Sequence, residues 1–169
     1  MRTSIALLSV IFLSTSALAG PRDNQTVNVG PWTIATHYKN DKFENCTMSR
    51  SAGELGITFV RSQDGLVALL DSPKWKLNKG KAYPVRLVAG SRSIDAQALA
   101  ETKNVTIALE DPRLNSTLRV VSIFEVRGAG ATLRVPLDGS AAAFERLETC
   151  FGKRETAETN PFVAPSRKP

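Results

Sequence analysis

GITFVRSQDGLVALL, residues 56–70, is the stretch that decides the fold. Ile57, Phe59 and Arg61 alternate with Thr58 and Val60, the period of two expected of a half-buried strand. Gln63-Asp64-Gly65 supplies hairpin-turn chemistry, and Leu66 to Leu70 reads as a short buried strand. Two strands joined this tightly pair antiparallel. An isolated hairpin is marginal in water, so the neighbouring sequence must extend the sheet.

It does so in both directions. Upstream, Trp32, Ile34 and Thr36 alternate with Thr33, Ala35 and His37. Asn40-Asp41 turns, and Phe43 to Arg50 gives a strand with Cys46 and Met48 on one face. Residues 20–30 are polar and punctuated by Gly20-Pro21 and Gly30-Pro31, a loose lead-in. Downstream, Ser72-Pro73 breaks the run. Trp75 and Leu77 fall on one face of a short strand, with Lys74 and Lys76 pointing the other way. Asn78-Lys79-Gly80 turns. Tyr83 to Val88, Ser93 to Leu99, Val105 to Leu109, Ile123 to Arg127 and Ala131 to Leu137 continue the pattern, with Gly128-Ala129-Gly130 as a hairpin turn. Asp111-Pro112 pairs an N-cap residue with a first-turn proline. Leu114, Leu118 and Val121 follow at helical spacing, which predicts a short helix over 112–121. A second helix is expected over 140–151, with Ala143, Phe144, Leu147 and Cys150 on its inner stripe. The fold class expected is mostly β, an antiparallel β-sandwich or barrel with these two helices.

The first residues carry a three-part export pattern: Arg2, an apolar run from Ile5 to Leu13, and Ala17-Leu18-Ala19 before Gly20. The run is far shorter than the ~20 residues of a spanning helix. The organisation expected is therefore a signal peptide at 1–19, one β-rich domain at 20–153, and a polar, proline-bearing, disordered tail at 154–169. No transmembrane segment is expected after signal cleavage, and the location expected is periplasmic or secreted. Cys46 and Cys150 are the chain's two cysteines, and an oxidising compartment favours their pairing. Both fall on inner faces, so the bridge would hold the last helix to the sheet.

Lys and Arg number 22 against 16 Asp and Glu, a net charge of +6. The charges are interspersed rather than massed, so no nucleic-acid partner is expected. The densest cluster is Lys74, Lys76, Lys79 and Lys81, interleaved with Trp75 and Tyr83. Its simpler reading is a solvated, aggregation-resistant hairpin; its functional reading is a face for an anionic surface. His37 is the single histidine, which excludes a metal site built from several histidines. No G-x-S-x-G, S-x-x-K or phosphate-binding glycine loop occurs. No cofactor or metal is expected. The Asn-x-Ser/Thr sites at Asn24, Asn45, Asn104 and Asn115 would matter only in a glycosylating host.

The order Leu66-Val-Ala-Leu-Leu70, Trp75-Lys-Leu-Asn-Lys-Gly80, Tyr83-Pro-Val-Arg-Leu87, a short helix after Asp111, Arg134-Val-Pro-Leu137 and Asp138-Gly-Ser-Ala-Ala-Ala-Phe144 resembles the bacterial invasion-associated locus B family of exported β-rich proteins. That resemblance spans about half the chain and implies an exported β-rich protein, with no catalytic residues to carry over. The function expected is thus a periplasmic binding or envelope-accessory protein without catalytic activity, its partner an envelope protein or an anionic surface. The alternatives are a secreted hydrolase using His37 and a lysine-rich adhesin. N-terminal sequencing of the exported protein should begin at Gly20; a retained Met1 would refute the cleavage site.

Overall fold

A computed structural model describes residues 25–40 and 42–158, with side chains to Gly152. The expected signal peptide at 1–19 and the residues from 159 onward lie outside the described residues.

Ten antiparallel strands form one sheet: β1 (Thr26–Val29), β2 (Trp32–Lys39), β3 (Lys42–Ala52), β4 (Leu55–Ser62), β5 (Gly65–Asp71), β6 (Ala82–Ala89), β7 (Arg92–Ala100), β8 (Asn104–Ala108), β9 (Ile123–Arg127) and β10 (Thr132–Pro136). Their order is β1-β2-β3-β4-β5-β8-β7-β6-β9-β10. The first five run as a meander. The chain then crosses to β6 and returns through β7 to β8 beside β5, and β9 goes back to pair with β6. Strands β6 to β9 thus have the Greek-key order. The result is an open, sandwich-like sheet, mostly β as the alternation predicts.

The hairpin at 56–70 pairs Phe59 with Ala68 and Ile57 with Leu70, all on the buried face. Gly56 is glycine for a local reason. It faces Asp71 across the ladder, and a Cβ there would collide with the Asp71 carboxylate. Residues 26–29, expected as part of a loose lead-in, instead form β1. Val27 pairs with Ile34 and Val29 with Trp32; the edge of β2 supplies hydrogen bonds that local polarity does not reveal.

Helix α1 (Pro112–Thr117) is shorter than the expected 112–121. Asp111 Oδ1 caps it by accepting from Leu114 N at 2.7 Å, and Leu118 closes it. Leu114 and Leu118 are both buried; Val121 lies beyond the helix and packs from outside it. Helix α2 (Ser140–Glu158) runs past the expected end at 151 and into the stretch from Arg154 read as tail. Arg154 to Glu158 contain no proline or glycine, so nothing local stops the helix there.

Helix α2 packs across β1 to β4. Ala143, Phe144 and Leu147 are buried, and Phe144 stacks edge-on to Phe59 at 5.1 Å between centroids. Burying one such Leu or Phe contributes about 1.5–3 kcal/mol. Ion pairs assist. Glu148 receives Arg61 Nε at 3.3 Å and Arg119 Nη2 at 3.2 Å, contacts that at partial exposure contribute about 0–1 kcal/mol each. Near the helix start, Trp32 Nε1 donates to Asp138 O at 2.9 Å, and Arg50 stacks over the Trp32 ring at 5.3 Å. Midway along the helix the Cys46–Cys150 disulfide is formed, with a Cα–Cα distance of 6.2 Å. It links positions 104 residues apart, a closure that in the chain-entropy picture contributes roughly 4.7 kcal/mol.

Replacing Cys150 with Ser should therefore lower the unfolding free energy by about 2–5 kcal/mol in urea titrations. An unchanged midpoint would show that the apolar stripe alone secures α2.

Candidate functional site

One helix cannot cover ten strands. Beyond β4 the inner face is closed by the sheet's own curl, and part of it stays open. The strand β7 presents Ile94, Ala96, Ala98 and Ala100 to that face, alternating with exposed Ser93, Asp95, Gln97 and Leu99. A row of alanines fills little volume. Beside it Tyr83 and Val85 of β6 and Leu133 of β10 are only partly buried.

The roof comes from the connection between β5 and β6. That connection must pass the ends of β8 and β7, three strand spacings or about 14 Å. It is stitched down on the way. Ser72 N donates to Lys103 O at 3.0 Å, Leu77 N to Thr102 O at 3.0 Å, and Gly80 N to Ala100 O at 2.7 Å. Trp75 N turns back to Ser72 O at 3.2 Å. The short strand expected at Trp75–Leu77 is therefore not present. The segment is spent on bridging, and its amides go to turns and single anchoring bonds. The expected shared direction of Trp75 and Leu77 does hold, since both pack against the core.

Together these elements enclose a cleft of about 420 Å³, within the roughly 300–1,000 Å³ range of small-molecule sites. Trp75 and Leu77 form one wall, Tyr83, Val85, Val126 and Leu133 another, with Ala98 and Val105 also lining it. The 128–131 turn forms a lip. The Tyr83 hydroxyl and the Trp75 indole N–H are the polar side-chain groups among the lining residues.

The four lysines lie in and beside the 72–81 connection and differ in their partners. Lys74 pairs with Glu54 at 2.6 Å and Lys79 with Glu101 at 3.0 Å. Lys76 and Lys81 have no ion pair among the described residues, and Lys81 Nζ lies 5.0 Å from the Tyr83 ring centroid. Lys81 and Tyr83 thus meet beside the cleft, with the ring partly buried and the lysine exposed.

His37 is placed elsewhere, on the outer face of β2, where its Nε2 is 3.0 Å from Thr47 Oγ1 and its cross-strand neighbour is Asn45. A second concavity of about 400 Å³ lies between the 64–67 hairpin and α1. Of its charged members, Arg61 and Arg119 both pair with Glu148, and Asp64 and Glu110 complete the set. On the outer face of β6 and β7, the Asp95 carboxylate accepts from Arg86 Nε at 2.9 Å and raises the guanidinium pKa further. Among the described residues no three His, Cys, Asp or Glu side chains gather as metal ligands, and no helix is long and apolar enough to cross a membrane.

The sequence reading picked out the lysines, Trp75 and Tyr83 but not the cavity they border. The signals for it were the small Ala98 side chain in β7 and the Gly128-Ala129-Gly130 turn, which also lines the cleft. No protein-family model, curated protein or solved structure matches this chain.

Trp32 is wholly buried whereas Trp75 borders the opening. Acrylamide should quench the native protein, and Trp75→Phe should remove most of the quenchable emission. Equal quenching in the variant would place Trp75 out of solvent reach.

Proposed function

We propose that this protein is exported and acts by binding, without catalysis, holding an apolar ligand group in the cleft beneath Trp75. The observation that carries this reading is the lining itself. It offers an apolar wall and no carboxylate, imidazole, thiol or aliphatic hydroxyl side chain that could serve as acid, base or nucleophile. Export is supported by the 1–19 pattern and by a disulfide, which persists in oxidising compartments. The resemblance to invasion-associated locus B proteins points the same way, toward an exported β-rich protein.

Filling the cleft tests the proposal. Ala131 lines the lip and is exposed, so Ala131→Trp should leave the urea midpoint close to wild type. The same variant should weaken uptake of an environment-sensitive naphthalene dye at least tenfold. Undiminished dye binding in a folded variant would exclude the cleft as the binding site.

A further inference from the structure

We propose that the cleft takes a single-chain amphiphile with an acidic head, its hydrocarbon tail in the apolar lining against Ala98 of β7 and its head at Lys81; this rests on the binding function proposed above. The lining is almost wholly apolar, so any polar end of an occupant must remain at the mouth. What it meets there is positive. Lys81 stands over the ring of Tyr83, itself a wall of the cleft. Neighbouring Lys74 and Lys79 are neutralised by Glu54 and Glu101, whereas Lys81 makes no ion pair among the described residues. An uncharged hydrocarbon would leave this cation unused, and a cationic head would be repelled.

The same features disfavour larger occupants. A peptide threaded into the cleft would surrender the hydration of its backbone amides, and the lining offers almost nothing to replace it. A bilayer surface would require protruding apolar side chains, whereas Trp75 and Leu77 are turned inward onto the core. A monomeric amphiphile inserted tail-first satisfies both the apolar lining and the charged mouth.

The test is calorimetric titration of the full mature protein with octanoate, decanoate and dodecanoate, and with the alcohols of the same chain lengths, all below aggregation. Each added pair of methylenes should tighten binding about tenfold. At low salt each acid should bind about five- to tenfold tighter than its alcohol. The gap should close in 0.5 M salt as screening sets in, and in the Lys81→Gln variant. Equal affinities for acid and alcohol at low salt would overturn the acidic head while leaving the apolar site standing. Absence of binding by either series would overturn the site and this inference together. Binding to vesicles of anionic phospholipid without uptake of the soluble acids would overturn it in favour of a membrane surface. Circular dichroism of the variant confirms that any loss is local.

Discussion

The architecture depends on a mismatch of widths. Ten strands at roughly 4.8 Å spacing would make a ribbon about 43 Å across, and an α-helix with its side chains covers roughly 10–12 Å. With α2 as the one long helix among the described residues, most of the inner face must be buried by the sheet itself. The Greek-key return of β6 to β9 folds the second half toward the first, and residues of both halves join one cluster: Phe59, Met48 and Trp32 with Leu87, Phe124 and Val135. Coverage is complete under α2 and incomplete beyond it. The cleft is the remainder.

Around the helix the interactions rank clearly. The apolar stripe of Ala143, Phe144 and Leu147 does most of the work, because each large buried side chain outweighs an exposed ion pair. Arg61 and Arg119 converge on Glu148 and fix the helix's rotation more than its affinity for the sheet. Arg61 also lies 4.5 Å from the Phe151 ring centroid, so the same side chain serves two turns of α2. The disulfide differs in kind, since its effect falls largely on the unfolded chain.

The strands were legible because alternation is a local property. Phe59 and Ile57 declare their face within five residues, and so do Cys46 and Met48. Elements whose state is set by distant partners were less legible. β1 exists because β2 offers an edge. The 75–77 segment is denied strand pairing because β8 and β7 lie between β5 and β6, a fact of strand order that no local window contains. The end of α1 at Thr117 rather than residue 121 likewise follows from the chain's turn toward β9. At the site, the lysines and aromatic rings stood out by composition. The space between them did not, because a cavity is made by what small side chains leave out, and Ala98 in a strand looks like ordinary core.

The bridge between Cys46 and Cys150 carries a consequence for maturation. One thiol lies in the third strand and the other midway along α2, so a chain emerging N-terminus first holds Cys46 reduced and solitary until all ten strands have arrived. With no other cysteine in the sequence, one intramolecular pairing exists. Oxidation cannot trap a shuffled isomer, and disulfide isomerases have nothing to correct. The hazard lies outside the molecule instead: while Cys46 waits, its available partner is the same cysteine of another unfinished chain. Yield on oxidative folding therefore depends on how fast α2 docks relative to encounter between unfinished copies.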